Sequence, residues 1–284
     1  MRRFPIHPAA VWGVVKEVRA TAEDFRPLLL AGASEPVREL SAALTAGGDP
    51  LAVRDLSGRA LTAYDLEGAG LLVYVIEGDA PAPEDEQALR LADRKDVEAI
   101  CLLVGSRRAE PIEIPHVLST DVIALEPGTP PPLDWVAERI AEREDKSYAL
   151  AAKLPAIRRQ VCEAIVRRFS RQNGVIGVAV FIPGADLPVL TLNQIRMVFR
   201  LAAAYGEEID RERALELLAV VSAGLGFRAL ARQALGLVPG PGWAIKGGIA
   251  YAATRALGEA AIAYFEKGGS NRLKEVAASV RSRS

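Results

Sequence analysis

Cysteine and histidine are scarce: Cys101, Cys162, His7 and His116 are the whole supply in 284 residues. Two thiols rule out a disulfide scaffold and a four-cysteine zinc site, and each reads as a small core residue in a reducing compartment. Two histidines leave no His-rich metal centre, so no metal ligand and no catalytic residue is assigned. Long apolar runs are missing too. The longest stretch without a charge, Gln172–Ala185, has 14 residues, short of the ~20 that a spanning helix needs. The opening Met1-Arg2-Arg3-Phe4-Pro5 is followed by Lys16, Glu17 and Arg19 rather than by an apolar segment, which is not the pattern of a secretory signal. The expected location is the cytoplasm, with peripheral attachment at the inner face of the cell membrane as a second option.

Hydrophobic residues make up 50% of the chain and charged ones 25%, enough to bury a sizeable core, and the length suits two domains. The net charge of −1 hides a division: residues 1–150 hold 16 basic and 26 acidic side chains, residues 151–284 hold 19 and 10. A basic half favours an anionic partner, phospholipid or nucleic acid, unless the two halves attract each other.

The first half reads as alternating strands and helices. Val11, Val14, Val15 and Val18 recur at helical spacing over Pro8–Ala20. Strands are expected at Leu28–Ala31, Leu51–Leu56, Gly70–Ile76, Ala99–Val104 and within Val117–Leu125, with helices over Glu35–Leu44 and Pro83–Arg94. This alternation predicts an α/β domain with a parallel sheet, whose ligands would sit beyond the carboxyl ends of the strands. After the first strand a phosphate loop would need Gly-x-x-x-x-Gly-Lys-Ser/Thr: exposed backbone N–H groups, a lysine and a hydroxyl for magnesium. The chain offers Gly32-Ala33-Ser34-Glu35-Pro36-Val37-Arg38, without lysine or second glycine, with a carboxylate, and with Pro36 removing a donor.

The spacing of this half, over about residues 27–130, resembles an Era-like GTPase domain. Asp55-Leu56-Ser57-Gly58 stands where that family has Asp-x-x-Gly, Val104-Gly105-Ser106-Arg107-Arg108 where it has Asn-Lys-x-Asp, and Ser119-Thr120 at its Ser-Ala turn. The first and fourth motifs are absent, so the resemblance implies a degenerate, GTPase-like (pseudo-GTPase) domain. Gly32, Ser34, Asp55 and Gly58 are its candidate nucleotide- or anion-binding residues, with GTP and magnesium expected only if an unconventional loop serves.

Pro127–Pro132, four prolines in six residues, reads as a linker. Asp134 is the expected N-cap of a helix to about Lys153, and Pro155 restarts one that Asn173-Gly174 would stop. Ile157, Val161, Ala164, Ile165 and Phe169 form its apolar stripe, and Arg158, Arg159, Arg167, Arg168 and Arg171 a candidate basic surface. No aromatics interleave with these arginines, which argues against nucleic acid. Over Gln172–Ile195 the single charge is Asp186, beside Pro183, Gly184 and Pro188, so a buried bend or shallow re-entrant hairpin is expected. Asp186 would cap a helix, pair with an arginine or face a ligand. Thr191 and Gln194 have capping-box spacing before a helix over Val189–Leu201 that Gly206 stops. Helices are expected over Arg211–Ala223, capped by Asp210, and over Phe227–Leu237, then over Trp243–Phe265, with a charged terminal one after Ser270. Gly247, Gly248, Ala252, Ala256 and Gly258 line the Trp243–Phe265 helix with small residues that let backbones approach. Lys246, after a glycine-rich turn, is a candidate anion contact, and Asn193 and Gln194 are candidate core or motif residues.

Ile182-Pro183-Gly184-Ala185-Asp186-Leu187-Pro188, Leu190-Thr191-Leu192-Asn193-Gln194, Ala203-Ala204-Tyr205-Gly206, Gly240-Pro241-Gly242-Trp243-Ala244-Ile245-Lys246-Gly247-Gly248 and Tyr264-Phe265-Glu266 closely resemble the bacterial DUF 697 family. That resemblance implies an all-α, often membrane-associated module paired with a GTPase-like domain. The expected organisation is an N-terminal helix (1–21), a GTPase-like α/β domain (22–130) and a basic helical domain (131–284). The expected function is that of a non-catalytic adaptor whose helical module binds an anionic membrane surface or a partner protein, with homo-oligomerisation left open. The alternative is an active nucleotide-binding protein.

Overall fold

The computed structural model of the chain describes residues 8–107, 113–143, 147–179, 187–209, 213–214, 217 and 242–268, and these belong to two compact units. One is Asp24–Val161; the other combines Met1–Glu23 with Cys162–Ser284.

In the first unit β1 (Leu28–Gly32), β2 (Val53–Asp55), β3 (Leu71–Glu77), β4 (Glu98–Val104) and β5 (Val122–Leu125) form one parallel sheet in the order β2-β1-β3-β4-β5. Leu71–Ile76 are all buried, as a strand covered on both faces requires. Helices α2 (Ser34–Thr45) and α3 (Pro83–Arg94) make the crossovers β1–α2–β2 and β3–α3–β4. These run in opposite directions across the sheet, and right-handed connections therefore put the two helices on opposite faces. Side-chain alternation agrees. Leu29, Ala31, Leu72, Tyr74, Ile76, Cys101 and Leu103 share one cluster with Ala88, Leu89 and Ala92 of α3. Val37, Leu40 and Leu44 of α2 are buried outside that cluster, and α2 contacts α4 (Leu133–Arg143). Each fully buried Leu or Val contributes about 1.5–3 kcal/mol, as an upper value.

Two local readings change. Leu51 precedes the second strand in a 3₁₀ turn, Pro50–Ala52, whose cap Asp49 accepts the Leu51 N–H at 2.9 Å; the side chain is 83% exposed. Asp134 is not the residue before the helix but lies in the first turn of α4, where its carboxylate accepts from Gln160 Nε2 at 2.6 Å. After α5 (Ser147–Lys153), helix α6 runs Pro155–Ala179, and the division between the units falls within it. The sheet unit thus extends past the Pro127–Pro132 stretch.

In the second unit α1 (Pro8–Glu23) packs against α7 (Leu187–Ala204), burying Val11, Val14, Val15 and Val18. Glu17 accepts from Arg196 at 3.0 Å and from Arg200 at 3.3 Å. Helix α8 (Gly242–Glu266) contacts α7. Asn173-Gly174 does not stop α6, which continues for five more residues. The glycine is spent on approach instead: a Cβ on Gly174 would stand 3.4 Å from Tyr251 Cβ. Gly206 (φ 75°) ends α7 and Gly268 (φ 67°) follows α8, both in the left-handed region that glycine adopts without strain. The helices expected over 211–223 and 227–237 and after Ser270 lie outside the described residues, except for Arg213, Ala214 and Leu217, which are helical.

Candidate functional site at the carboxyl edge of the sheet

The strand order reverses direction between β1 and β3, and the crevice beyond their carboxyl ends is where doubly wound sheets hold ligands. Gly32, Ser34, Asp55 and Gly58 meet beside it. β1 ends at Gly32 with φ 105°, and the Ala33 N–H donates to the Val75 carbonyl at 2.9 Å. A Cβ on Gly32 would lie 1.9 Å from that carbonyl oxygen. The glycine therefore serves backbone-to-backbone closure rather than an exposed nest of N–H groups. Helix α2 begins at once, with Ala33 as a cap that makes no side-chain hydrogen bond. Glu35 in its first turn supplies the negative charge that a helix N-terminus favours and is paired with Arg38.

From the β2 side, Leu56 N–H donates to Leu30 O at 2.8 Å and Gly58 N–H to Gly32 O at 3.4 Å. Asp55 Oδ1 accepts from Ser57 N–H at 2.8 Å, an Asx turn. Gly58 (φ 70°) lies so close to Ser34 that a Cβ there would be 2.7 Å from the serine Oγ. The two loops touch at Ser34 and Gly58, and the Gly32–Arg38 segment carries neither the lysine nor the second glycine of a phosphate loop. The residues present do not fit a magnesium–triphosphate group.

The segment after Gly58 is pinned by Asp65, which sequence inspection missed because a lone aspartate in a loop carries no spacing signal. Its side chain is 8% exposed and accepts from Arg59 Nη1 at 2.9 Å and from Thr62 N–H and Oγ1 at 2.9 and 2.6 Å. Arg59, then the Thr62 donors, hold its carboxyl far below the usual carboxylate range, against the opposing effect of burial. Arg54 Nη1 donates to the Asp65 carbonyl at 3.2 Å.

Beyond β3 and β4 a second unforeseen pair closes the edge. Asp79 Oδ1 accepts from Ser106 Oγ at 2.9 Å and from Arg107 N–H at 2.7 Å, and Ser106 is buried. Tyr74 OH donates to Asp85 Oδ1 at 2.9 Å, and burial with the neighbouring carboxylate raises the phenol well above its ordinary value. Thr120 accepts from Arg143 Nη2 at 3.1 Å. At the opposite, amino edge of β4 lies a cavity of about 390 Å³, lined by Asp93, Asp96, Glu98, His116, Leu118 and Asp121. His116 Nδ1 is 2.8 Å from Asp93 Oδ2. Among the described residues no group of three His, Cys, Asp or Glu is placed to hold a metal ion.

In the helical unit Asn193 and Gln194 belong to a buried polar network. Asn173 Nδ2 donates to Thr254 Oγ1 (2.9 Å), Gln194 Nε2 to the same hydroxyl (2.9 Å), Asn193 Nδ2 to Asn173 Oδ1 (3.1 Å), and Thr254 itself to the Ala250 carbonyl (2.8 Å). Thr191 and Gln194 therefore lie inside α7, both buried, and not in a capping box. Asp186 lies outside the described residues; Lys246 is in α8, its side chain likewise outside them.

The five arginines do not form one surface. Arg158 donates from Nε to Ala151 O (3.0 Å) and from Nη2 to Ala152 O (3.1 Å), satisfying carbonyls at the end of α5. At about 100° per residue, Arg167, Arg168 and Arg171 share one side of α6, while Arg158 and Arg159 fall outside that sector. Arg168 and Arg171 are exposed and Arg167 half-buried. Among the described residues no helix is long and apolar enough to cross a membrane.

No curated protein and no solved structure matches the chain. One family model does, that of a domain of unknown function, DUF697, and it covers residues 142–283. With half of its length accounted for by that model, the chain belongs to the DUF697 family.

Proposed function

We propose that this protein is a non-catalytic adaptor. A GTPase-like α/β domain without nucleotide machinery is joined to a DUF697 helical module that binds an anionic membrane surface or a partner protein. One observation supports this reading: at the carboxyl edge Gly32 lies against the Val75 backbone and Gly58 against the Ser34 side chain. GTPases transmit nucleotide state through switch segments that the γ-phosphate orders and hydrolysis releases. Here the segment after Asp55-x-x-Gly58 is tied down by the chain's own Asp65, Arg59 and Thr62. The parallel order β2-β1-β3-β4-β5 supports a GTPase-like ancestry, since it retains the switch point of a nucleotide-binding sheet. Arg168 and Arg171, exposed on α6, support an anionic partner at the inner face of the cell membrane.

A second reading, an active nucleotide-binding protein, is favoured by the convergence of Gly32, Ser34, Asp55 and Gly58 at one edge. Calorimetry of the full chain with GTP or ATP and magnesium separates the two. The adaptor gives no saturable heat; binding that disappears in Asp55→Ala overturns it.

A further inference from the structure

Helix α1 is weak by its own composition. Of its 16 residues four are valine, and Gly13 and Thr21 stand inside it. β-Branched side chains lose rotamer freedom in a helix, and glycine loses the most backbone freedom. The ends add nothing: no acidic residue lies in the first turn and no basic one in the last, where Glu23 meets the negative end of the helix dipole. The Arg19–Glu23 pair, at 3.7 Å, is exposed and runs basic to acidic, the weaker orientation. Even alanine-rich helices are marginal below about 12–15 residues, and α1 is scarcely longer. Its order therefore comes from α7, where Val11, Val14, Val15 and Val18 are buried and Glu17 spans Arg196 and Arg200. The chain just beyond α1 is held separately. Lys153 Nζ lies 4.8 Å from the centre of the Phe25 ring and pairs with Asp49 at 2.8 Å, all within the sheet unit.

We infer that α1 is a strap: residues 8–23 are helical only while docked on α7, and they leave and return as a unit, hinged at Asp24 while Phe25 stays in place. Undocking uncovers the apolar face of α7 together with Arg196 and Arg200, which Glu17 otherwise neutralises. The tether makes closure the default, because a short link holds the strap at an effective concentration on the order of millimolar. Four valines supply the apolar part of the grip. Glu17 supplies the electrostatic part, so added salt loosens the strap. The device is independent of the adaptor reading, since it concerns what α7 presents and not what binds there.

Hydrogen–deuterium exchange of the full chain tests this. Amides of residues 8–23 should exchange through a local opening, about a hundredfold faster than the slow amides of α6 and α7. Gly13 gives a clean probe: it is exposed, and a Cβ there meets nothing within 4 Å. Gly13→Ala therefore strengthens the helix without touching a neighbour. Exchange over 8–23 should slow about fivefold while α6 and α7 keep their rates. Glu17→Gln should speed exchange over 8–23 roughly threefold at low salt and less at high salt. Equal protection of α1 and α6 in the native chain overturns the strap. So does Gly13→Ala slowing all three helices by one factor, because α1 then opens only with the whole unit. A dye-labelled peptide of residues 8–23 checks that the uncovered face persists. Unordered on its own by circular dichroism, it should bind the full chain carrying Val14→Asp and Val18→Asp at least tenfold more tightly than the native chain, where the tethered strap competes. A peptide that is helical alone, or that binds both chains alike or neither, overturns the inference.

Discussion

Asn173 on α6 donates to the hydroxyl of Thr254 on α8 at 2.9 Å, with both side chains fully buried. Gln194 reaches the same hydroxyl from α7, so one oxygen joins three helices. A buried polar group costs little when partnered and about 1–3 kcal/mol when left alone. Asn173→Ala strands Asn193 and removes a bond to Thr254, so the helical unit should lose about 2–3 kcal/mol. Thermal unfolding followed by far-UV dichroism checks this, and a loss under 0.5 kcal/mol would show that the network adds nothing.

Gly247 tests close approach. A Cβ there would meet Val178 Cγ2 and stand 2.8 Å from the Gly174 carbonyl oxygen. Gly247→Ala should cost about 1–3 kcal/mol, because overpacking shifts neighbours that cannot yield freely. Val178→Ala in the same chain should restore only part of that stability, since the backbone carbonyl of Gly174 remains in place. A chemical-denaturation double-mutant cycle measures the coupling.

Asp65 gives the pH prediction. Its carboxyl is depressed in the folded chain relative to the ~3.9 of an unfolded aspartate. A lowered carboxyl stabilises the fold fully above the unfolded value and loses that contribution as pH falls through the lower folded value. Asp65→Asn should therefore destabilise the sheet unit by about 2–3 kcal/mol at pH 7, through lost charge-assisted bonds to Arg59 and Thr62. The gap between native and variant should narrow below about pH 4. Urea unfolding at pH 7, 5 and 3 reads it directly; an unchanged gap at pH 3 would refute the ion pair's part.

Both cysteines should be inert while the chain is folded. Cys101 is buried on β4 and its thiol is pushed upward, first by burial and then by the carboxylates of Asp85 and Asp121. Cys162 is equally enclosed. A thiol reagent should label neither at pH 8 until denaturant is added. Rapid labelling of one native thiol would contradict this packing.

Much of the fold was legible because apolar runs and turn residues report local needs. Leu28–Ala31 and Leu71–Ile76 read as strands and are so, with every one of these residues buried. Pro83-Glu84-Asp85 announced α3, whose Asp85 accepts the Ala82 N–H at 2.8 Å. Misreadings arose where one residue type serves two purposes. Asn-Gly terminates helices, but Asn173 spends its amide on a neighbouring helix and Gly174 its lack of a side chain on closeness. Thr191 and Gln194 have the spacing of a cap, yet the same spacing also puts two polar groups near one helix face. Gly32 and Ser34 were legible from the end of the first strand, and Asp55 and Gly58 from the resemblance to an Asp-x-x-Gly motif. Asp65 and the Asp79–Ser106 pair were not, because their partners are set by how loops fold back and by no periodic pattern.

The helical unit is built from two pieces of chain, one before residue 24 and one after residue 161. Any attempt to isolate it by cutting at the proline run would discard the four valines that cover α7, along with the carboxylate that pairs Arg196 and Arg200. The excised half should be sticky and poorly soluble. Splicing residues 8–23 onto it through a flexible tether should return it to solution, making the first helix a separable subunit of the piece that begins at Cys162.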